Sequence, residues 1–416
     1  DPEDPTTPVG ILIRAGNRRW YHAMIGHGGT NHRADSGLAY TPAFGAGAVL
    51  PFGTPVVAAP TGFIGNITVE APFGSIVAKG GDAFRPDRAW GYGYNFVQIG
   101  HGGDIVRGPK SGKITVKAGQ GAGATAGDIL FQAGRMVREH AQIGHGGTDA
   151  DGDIIVYYDG DGNPIDNTSE IIVEAYGSIS FISPPSGEKE ALFLSPEYAY
   201  WWYNNVSPTG TPQSGNPGYW QTEDRSVQLG HGGYASTIVI ASKQDITVTA
   251  GTGDLNNADG DASTGGITFI GGDMERDFAQ LGHGGHSSGA NNDLGLKGDI
   301  KVTAHGGGIV FDGSILGAQA LRRVTNVSRN GVDAGQVVYN GNTTGAVVRG
   351  NGGGWEAYVQ LGHGGYGARG VHTGDIVIDA WGGIEFKAAP AADLVDRVVT
   401  NAPLTEGLNA GTGVWI

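Results

Sequence analysis

The sequence predicts an all-β fold, a parallel β-solenoid (β-helix) of about six to seven coils with long loop insertions. Three observations support this prediction. Glycine accounts for 77 of the 416 residues, without the strict three-residue period of collagen. The tetrapeptide Gly-His-Gly-Gly occurs six times. Short strands of alternating apolar and polar residues recur in the same order around these copies, as expected for β-strands joined by tight turns.

The Gly-His-Gly-Gly motif is the strongest signal. Ile or Leu precedes each copy, and Gln precedes that residue in five of the six, with Met24 in the first. The motif histidines are His27, His101, His145, His231, His283 and His363, and the glutamines are Gln98, Gln142, Gln228, Gln280 and Gln360. Successive histidines are 74, 44, 86, 52 and 80 residues apart. The shortest interval approximates a bare coil, and the longer ones contain inserted loops.

Two strand patterns accompany the motif. An Ile-x-Val-x-Ala pattern or a close variant begins at Ile67, Ile114, Ile171, Ile246, Ile300 and Ile376, and a shorter Ile-x-Phe pattern follows most of these. Each unit cannot bury its apolar faces alone, so we expect successive units to stack. The predicted organisation is an extended Pro-rich arm at 1–9, a solenoid at 10–386 with insertions at 183–225 and 312–355, and a tail at 387–416.

These units resemble the repeats of large secreted bacterial exoproteins of the filamentous-haemagglutinin type, whose shafts are right-handed parallel β-helices. The resemblance extends from about Gly10 to Phe386 and rests on the short strands and on Gly-His-Gly-Gly. It implies an extracellular or cell-surface location in a bacterium and a shaft or adhesive role, and it transfers no catalytic residue. This chain differs from that family in its small size and its long aromatic insertions.

The composition limits the classes of partner and of site chemistry that we expect. The formal net charge is −15, from 41 acidic and 26 basic residues, so we expect no nucleic-acid partner. No apolar run is long enough to predict a transmembrane segment. The absence of cysteine excludes disulfides, thiolate metal sites and cysteine nucleophiles.

The motif histidines and glutamines are predicted to form structural ladders along the solenoid, each side chain close to its copy in the next coil. Stacked imidazoles would be neutral and hydrogen-bonded to one another or to turn carbonyls. The alternative is a row of metal sites, because imidazole is a common ligand. The ladder is favoured, because no second carboxylate recurs at a regular offset.

Acidic loops suggest calcium as a cofactor. Oxygen-bearing side chains occupy alternate positions at Asp149, Asp151 and Asp153, and again at Asp159, Asp161 and Asn163. This spacing suits a calcium loop, although neither has the full EF-hand pattern. The alternative is solvated Asp-Gly turns.

An aromatic insertion is the candidate contact surface. Its residues include Tyr200, Trp201, Trp202, Tyr203 and Trp220. Such side chains stack on sugar rings or form subunit contacts, so glycans are candidate partners. The alternative, that they cover a gap in the solenoid side, is equally compatible with the sequence.

The ends predict a homopolymer. The chain opens with the second strand of a unit, containing Ile11 and Ile13, and the last unit closes with Ile384 and Phe386. Neither end has a recognisable cap, so we expect copies to join head-to-tail, with the tail around Trp415 as an added strand on a neighbour. The alternative is that the chain is a fragment of a longer exoprotein.

The predicted function is therefore a structural subunit of an extracellular filament or adhesive fibre, and not an enzyme. The sequence has no Ser-His-Asp order, phosphate loop or HExxH motif. The alternative is a cell-surface β-helix protein that binds or processes polysaccharide. Such an enzyme needs clustered Asp, Arg or Lys on adjacent coils, and no such set recurs at equivalent strand positions.

Overall fold

The fold is all-β, as predicted. In the computed structural model the described residues are 9–16, 20–30, 62–81, 94–121, 124, 127–134, 138–150, 157–158, 164–183, 225–237, 240, 243–252, 265–272, 276–288, 295–313, 321–328, 337–339, 342–351, 358–387 and 413–415. These residues form strands and no α-helix. The described part of the chain accordingly has no helix that could cross a membrane.

Three sheets of parallel strands organise the molecule. Sheet 1 contains the Ile-x-Val-x-Ala strands Ile67–Ala71, Ile114–Ala118, Ile171–Ala175, Ile246–Ala250, Ile300–Ala304 and Ile376–Ala380. Sheet 2 contains Val9–Arg14, Ser75–Lys79, Ile129–Gln132, Ile179–Ile182, Ile267–Ile270, Ile309–Asp312 and Ile384–Lys387. Sheet 3 contains Ala23–Ile25, Val97–Ile99, Ala141–Ile143, Val227–Leu229, Ala279–Leu281, Tyr358–Leu361 and Gly413–Trp415.

Each strand pairs in parallel with the equivalent strand of the next repeat. In sheet 1, for example, Ile114 lies opposite Ile171 and Val116 opposite Val173. We number the repeats 1 to 7: repeat 1 contains the strands at 9–14 and 23–25, and repeat 7 contains those at 376–380, 384–387 and 413–415. Because the register repeats, equivalent side chains form columns that run from repeat to repeat.

Shorter strands lie outside these sheets. Three parallel pairs join Gly28–Thr30 to Gly102–Asp104, Phe63–Ile64 to Lys110–Ser111, and Leu296–Lys297 to His372–Thr373. Antiparallel pairing joins Tyr157–Tyr158 to Pro164–Ile165, and it joins Asn342–Asn351 to both Leu321–Ser328 and Val337–Tyr339. The last three strands lie within the insertion that the sequence predicts at 312–355.

The core lies between the three sheets. Alternate side chains of each strand face inward, so Ile114, Val116 and Ala118 have no exposed surface. In sheet 2 the inward phenylalanines form a column of stacked rings with centroids 4.8 to 5.2 Å apart, at Phe131, Phe181, Phe269, Phe311 and Phe386. One continuous core therefore connects the repeats.

The two ends of this core differ. At the first end Ile13 is 9% exposed, and Ile11, Ala23 and Ile25 are partly buried. At the last end Ile376 is 41% exposed and Ile384 is 48% exposed. Their counterparts one repeat earlier, Ile300 and Ile309, have no exposed surface. Repeat 7 thus exposes apolar side chains whose counterparts in repeat 6 are fully buried.

Candidate functional site

The six Gly-His-Gly-Gly histidines form one column of stacked rings beside sheet 3. Neighbouring ring centroids are 4.8 to 5.0 Å apart and the planes are within 6° of parallel. The column follows from the strand pairing, because the residue two positions before each motif histidine belongs to the in-register strands of sheet 3.

Both ring nitrogens of the five later histidines are occupied. Each Nδ1 accepts the backbone N–H of the histidine in the preceding repeat at 3.0 to 3.1 Å. Each Nε2 lies 2.6 to 2.8 Å from a backbone carbonyl oxygen that precedes a sheet 1 strand, at Gly65, Gly112, Ser169, Gln244 and Gly298. Because Nδ1 accepts, the ring proton resides on Nε2, which donates to the carbonyl. This arrangement requires the neutral imidazole.

Burial reinforces the neutral state. Burial lowers the pKa of His145 to about 3, and the neighbouring His101 and Lys110 lower it further. Burial also holds the pKa of His231 and of His283 well below the ordinary value. With Nδ1 accepting and Nε2 protonated, these rings have no lone pair for a metal. The described residues contain no group of three or more side chains that could hold a metal ion.

The motif glutamines are buried and bind glycine carbonyls rather than one another. In four repeats the Gln Nε2 donates to two glycine carbonyls of the next Gly-His-Gly-Gly turn at 2.8 to 3.2 Å. Only Gln98 also approaches a second glutamine, with its Nε2 3.5 Å from Gln142 Oε1. The amides select the carbonyls because the glycines leave them unshielded.

The first glycine of the motif has a steric role. Gly144 has a φ of 150°, and a methyl group on its Cα would stand 1.9 Å from the carbonyl oxygen of Gly230. Gly282 shows the same approach, at 2.0 Å from the carbonyl oxygen of Gly362. Only glycine allows consecutive turns to approach so closely.

A second column of polar side chains was not predicted from the sequence. Asn95, Glu139, Arg225 and Asp277 each stand three residues before a motif glutamine, and all are buried. The Asn95 Nδ2 donates to Glu139 Oε1 at 2.8 Å, and Arg225 forms an ion pair with Asp277 in which neither side chain is exposed. The fixed offset from glutamine was a readable signal, but the varied residue types hid it.

One cluster combines two carboxyl groups with an arginine. Arg138 Nη1 lies 3.5 Å from Asp104 Oδ1 and 2.7 Å from Asp149 Oδ2. Burial raises the pKa of Asp104 to about 7, against the opposing influence of Arg138. The Asp104 side chain has no exposed surface, whereas Arg138 and Asp149 are 23% and 32% exposed. The cluster therefore links a buried carboxyl group to a partly exposed ion pair.

The structure describes only some of the residues of the other predicted sites. Of the acidic residues predicted to bind calcium, Asp149 is described, and its carboxylate faces Arg138. Asp151, Asp153, Asp159, Asp161 and Asn163 lie outside the described residues, as do Tyr200, Trp201, Trp202, Tyr203 and Trp220.

The predicted interface residues occupy the two ends of the core. Ile384 is exposed, Phe386 and Ile11 are half-buried and Ile13 is nearly covered. The strand containing Trp415 pairs with Tyr358–Leu361 of its own chain. The role of this strand at a neighbouring copy stays a prediction.

Comparisons with known proteins do not assign the chain to a family. No protein-family model matches the chain. Neither curated proteins nor solved structures give a significant match.

Proposed function

We propose that this chain is a parallel β-solenoid and a structural subunit of an extracellular bacterial filament or adhesive fibre. In this role copies add head-to-tail. The geometry of the repeated motif supports the proposal, because its histidines and glutamines are used in contacts between repeats. Side chains engaged in this way stabilise the stacking of repeats and leave little polar chemistry for a substrate.

The exposed inner face of repeat 7 carries the proposal. Ile376 and Ile384 continue the columns of Ile300 and Ile309, yet they are 41% and 48% exposed. Among the described residues, their strands have a partner on one edge only. Open parallel edges beside apolar side chains are templates for another strand. Covering one such side chain contributes about 1.5 to 3 kcal/mol.

A second copy is the proposed occupant. The inward columns of sheets 1 and 2 extend into repeat 7, so a further repeat of the same type would continue them. The opposite edges of sheets 2 and 3 are the strands Val9–Arg14 and Ala23–Ile25 of repeat 1. Joining two different ends is a heterologous contact, and a heterologous contact that does not close gives an open filament.

Negative-stain electron microscopy of the purified chain at neutral pH tests this function. We expect filaments whose length increases with protein concentration. Ile384→Asp should abolish them, because it places a charge on the docking face. Ser180→Asp, on the outward side of an interior sheet 2 strand, is the matched control and should leave filaments intact. Monodisperse particles at high concentration would contradict the proposal.

A further inference from the structure

The corner between sheets 1 and 2 carries aromatic side chains in alternate repeats. The residue that follows the last alanine of the sheet 1 strand is Gly119 in repeat 3, Tyr176 in repeat 4, Gly251 in repeat 5 and His305 in repeat 6. The backbone N–H groups of Gly119, Tyr176 and His305 donate to the alanine carbonyls of the preceding repeats at 2.8 to 3.1 Å, so these positions lie in register. In repeat 2 the aromatic residue is Phe73, one position further on and 67% exposed.

This row differs from the other aromatic columns in what separates its rings. In sheet 2 and in the motif column, rings of consecutive repeats cover one another's faces. Among the described residues Tyr176 has no ring contact, because Gly119 and Gly251 occupy the equivalent positions of the two neighbouring repeats. These glycines have φ angles of 69° and 76°, where a side chain is strained. The gaps on both sides of Tyr176 are therefore built into the turns, and they lie inside the chain, with described repeats on either side.

Polar groups flank the aromatic row. Gln120 of repeat 3 reaches across repeat 4 to Thr252 of repeat 5, and its Nε2 donates to Thr252 Oγ1 at 2.6 Å. The outward side of sheet 1, two residues before the corner, carries the column of Glu70, Lys117 and Glu174. Lys117 Nζ lies 2.8 Å from Glu174 Oε2. Amide, hydroxyl and carboxylate groups that bind hydroxyl groups thus lie on both sides of the row.

This combination fits a carbohydrate chain. The C–H face of a sugar ring packs on an aromatic ring, while its hydroxyl groups bind polar side chains at the ring edge. Aromatic residues in alternate repeats are about 9.6 Å apart, which is close to the length of a disaccharide unit in an extended β-1,4-linked chain. The carboxylates beside the row disfavour an anionic polymer. We propose that Phe73, Tyr176 and His305, with Gln120 and Thr252, form a binding site, the corner site, for an extended neutral β-linked polysaccharide.

The corner site lies on the side of the solenoid, between two sheets, and not on the ends where copies are proposed to join. A filament would therefore repeat the site along its length, and many weak sites on one polymer bind with high avidity. The biological role of the site as an adhesive surface rests on the filament proposed above. Binding of the polysaccharide by a single chain does not.

Affinity electrophoresis tests the corner site. The full chain is run at neutral pH in native gels with and without hydroxyethyl cellulose, which is a neutral β-1,4-linked polymer. We expect the polymer to retard the chain, and soluble starch, whose α-linked chain is not extended, to leave its mobility unchanged. Tyr176→Ser should weaken the apparent affinity about tenfold, because the central stacking ring is lost. Gln120→Ala should weaken it less and tests the polar contacts.

Tyr21→Ser is the matched control, because Tyr21 is 54% exposed and lies outside the corner. This variant should be retarded as strongly as the unmodified chain, and melting temperatures check that all variants fold. Unchanged mobility of the unmodified chain in hydroxyethyl cellulose, or equal retardation of Tyr176→Ser and the unmodified chain, would overturn the proposal. Filaments that form without retardation would overturn this site alone. Retardation of a chain that stays monodisperse would overturn the end-on assembly and leave the site standing.

Discussion

The turns at residues 282–285 and 362–365 have the same sequence and different surroundings. The interior His283 is fully buried and stacked on both faces, and its backbone N–H is paired. His363 is partly exposed and stacks on one face. The same motif therefore makes different contacts at different positions. At residues 282–285 it fastens one repeat to the next, whereas the turn at 362–365, in repeat 6, has no such contact with a following turn among the described residues.

Acidification should have the largest effect on stability, because the interior histidines are buried as neutral rings. The folded chain keeps His145 neutral down to about pH 3, whereas the unfolded chain takes up a proton near its ordinary pKa of 6.5. Folding stability is therefore complete above about pH 6.5 and falls as the pH is lowered. A buried histidine with a pKa of about 3, such as His145, removes about 2.7 kcal/mol by about pH 4.5.

His140, His145, His231 and His283 all have lowered pKa values, so their losses add. The losses at His140 and His145 alone reach about 5 kcal/mol, which is comparable to the stability of a typical domain, so we expect cooperative unfolding near pH 4.5. Urea denaturation at a series of pH values measures it. A free energy of unfolding that is constant from neutral pH to about pH 4.5 would contradict buried neutral histidines.

Alanine at the first glycine of the motif compares the two positions sterically. Gly144→Ala should cost about 4 kcal/mol or prevent folding, because the new methyl group would stand 1.9 Å from a carbonyl oxygen. Gly362→Ala shares the positive φ but has its nearest neighbours 3.7 Å away, so about 1 kcal/mol is expected. Thermal denaturation of both variants measures the difference. Equal losses would mean that close backbone approach is not what requires glycine.

The buried ion pair of Arg225 and Asp277, which lie just before strands of sheet 3, can be compared with an ion pair on the surface. Asp277→Asn should cost about 3 kcal/mol, because it leaves the fully buried Arg225 charge without its carboxylate. The surface pair of Lys117 and Glu174, 2.8 Å apart, provides the control, and Lys117→Met should cost less than about 1 kcal/mol. Urea denaturation at neutral pH compares both variants with the unmodified chain. Similar losses for the two variants would be incompatible with a desolvated pair.

The smallest effect concerns one methylene group at each of two equivalent positions. Ile309→Val should cost about 1 kcal/mol, because Ile309 has no exposed surface. Ile384→Val should cost almost nothing in the monomer, because Ile384 is 48% exposed. Melting temperatures of dilute protein test this. A larger loss at Ile384 would place a covering partner on repeat 7 even at low concentration.

Much of the fold was predictable because the strands repeat. The Ile-x-Val-x-Ala strands and the six Gly-His-Gly-Gly copies fixed the phase of alternation and hence the inward columns, and the parallel sheets follow. The stacking of the motif histidines in one column was predictable for the same reason. Their neutral state follows from the carbonyl and N–H partners, which only the structure shows.

Other features depend on positions that do not repeat in residue type. Asn95, Glu139, Arg225 and Asp277 differ in charge, so only their fixed spacing before the motif glutamines connects them in the sequence. The glutamine contacts were predicted as side chain to side chain, because alternation indicates which side chains share a face but not where backbone carbonyls point. The difference between the ends, Ile13 against Ile384, depends on what covers each edge.

In the proposed structure the interior motif histidines bond the repeats together as neutral rings. Imidazole nitrogen-15 NMR of the folded chain, recorded from neutral pH to about pH 5, tests it most directly. We predict that His145, His231 and His283 remain in the form protonated at Nε2 alone throughout this range. Titration of these three rings near their ordinary pKa in the folded protein would contradict the claim.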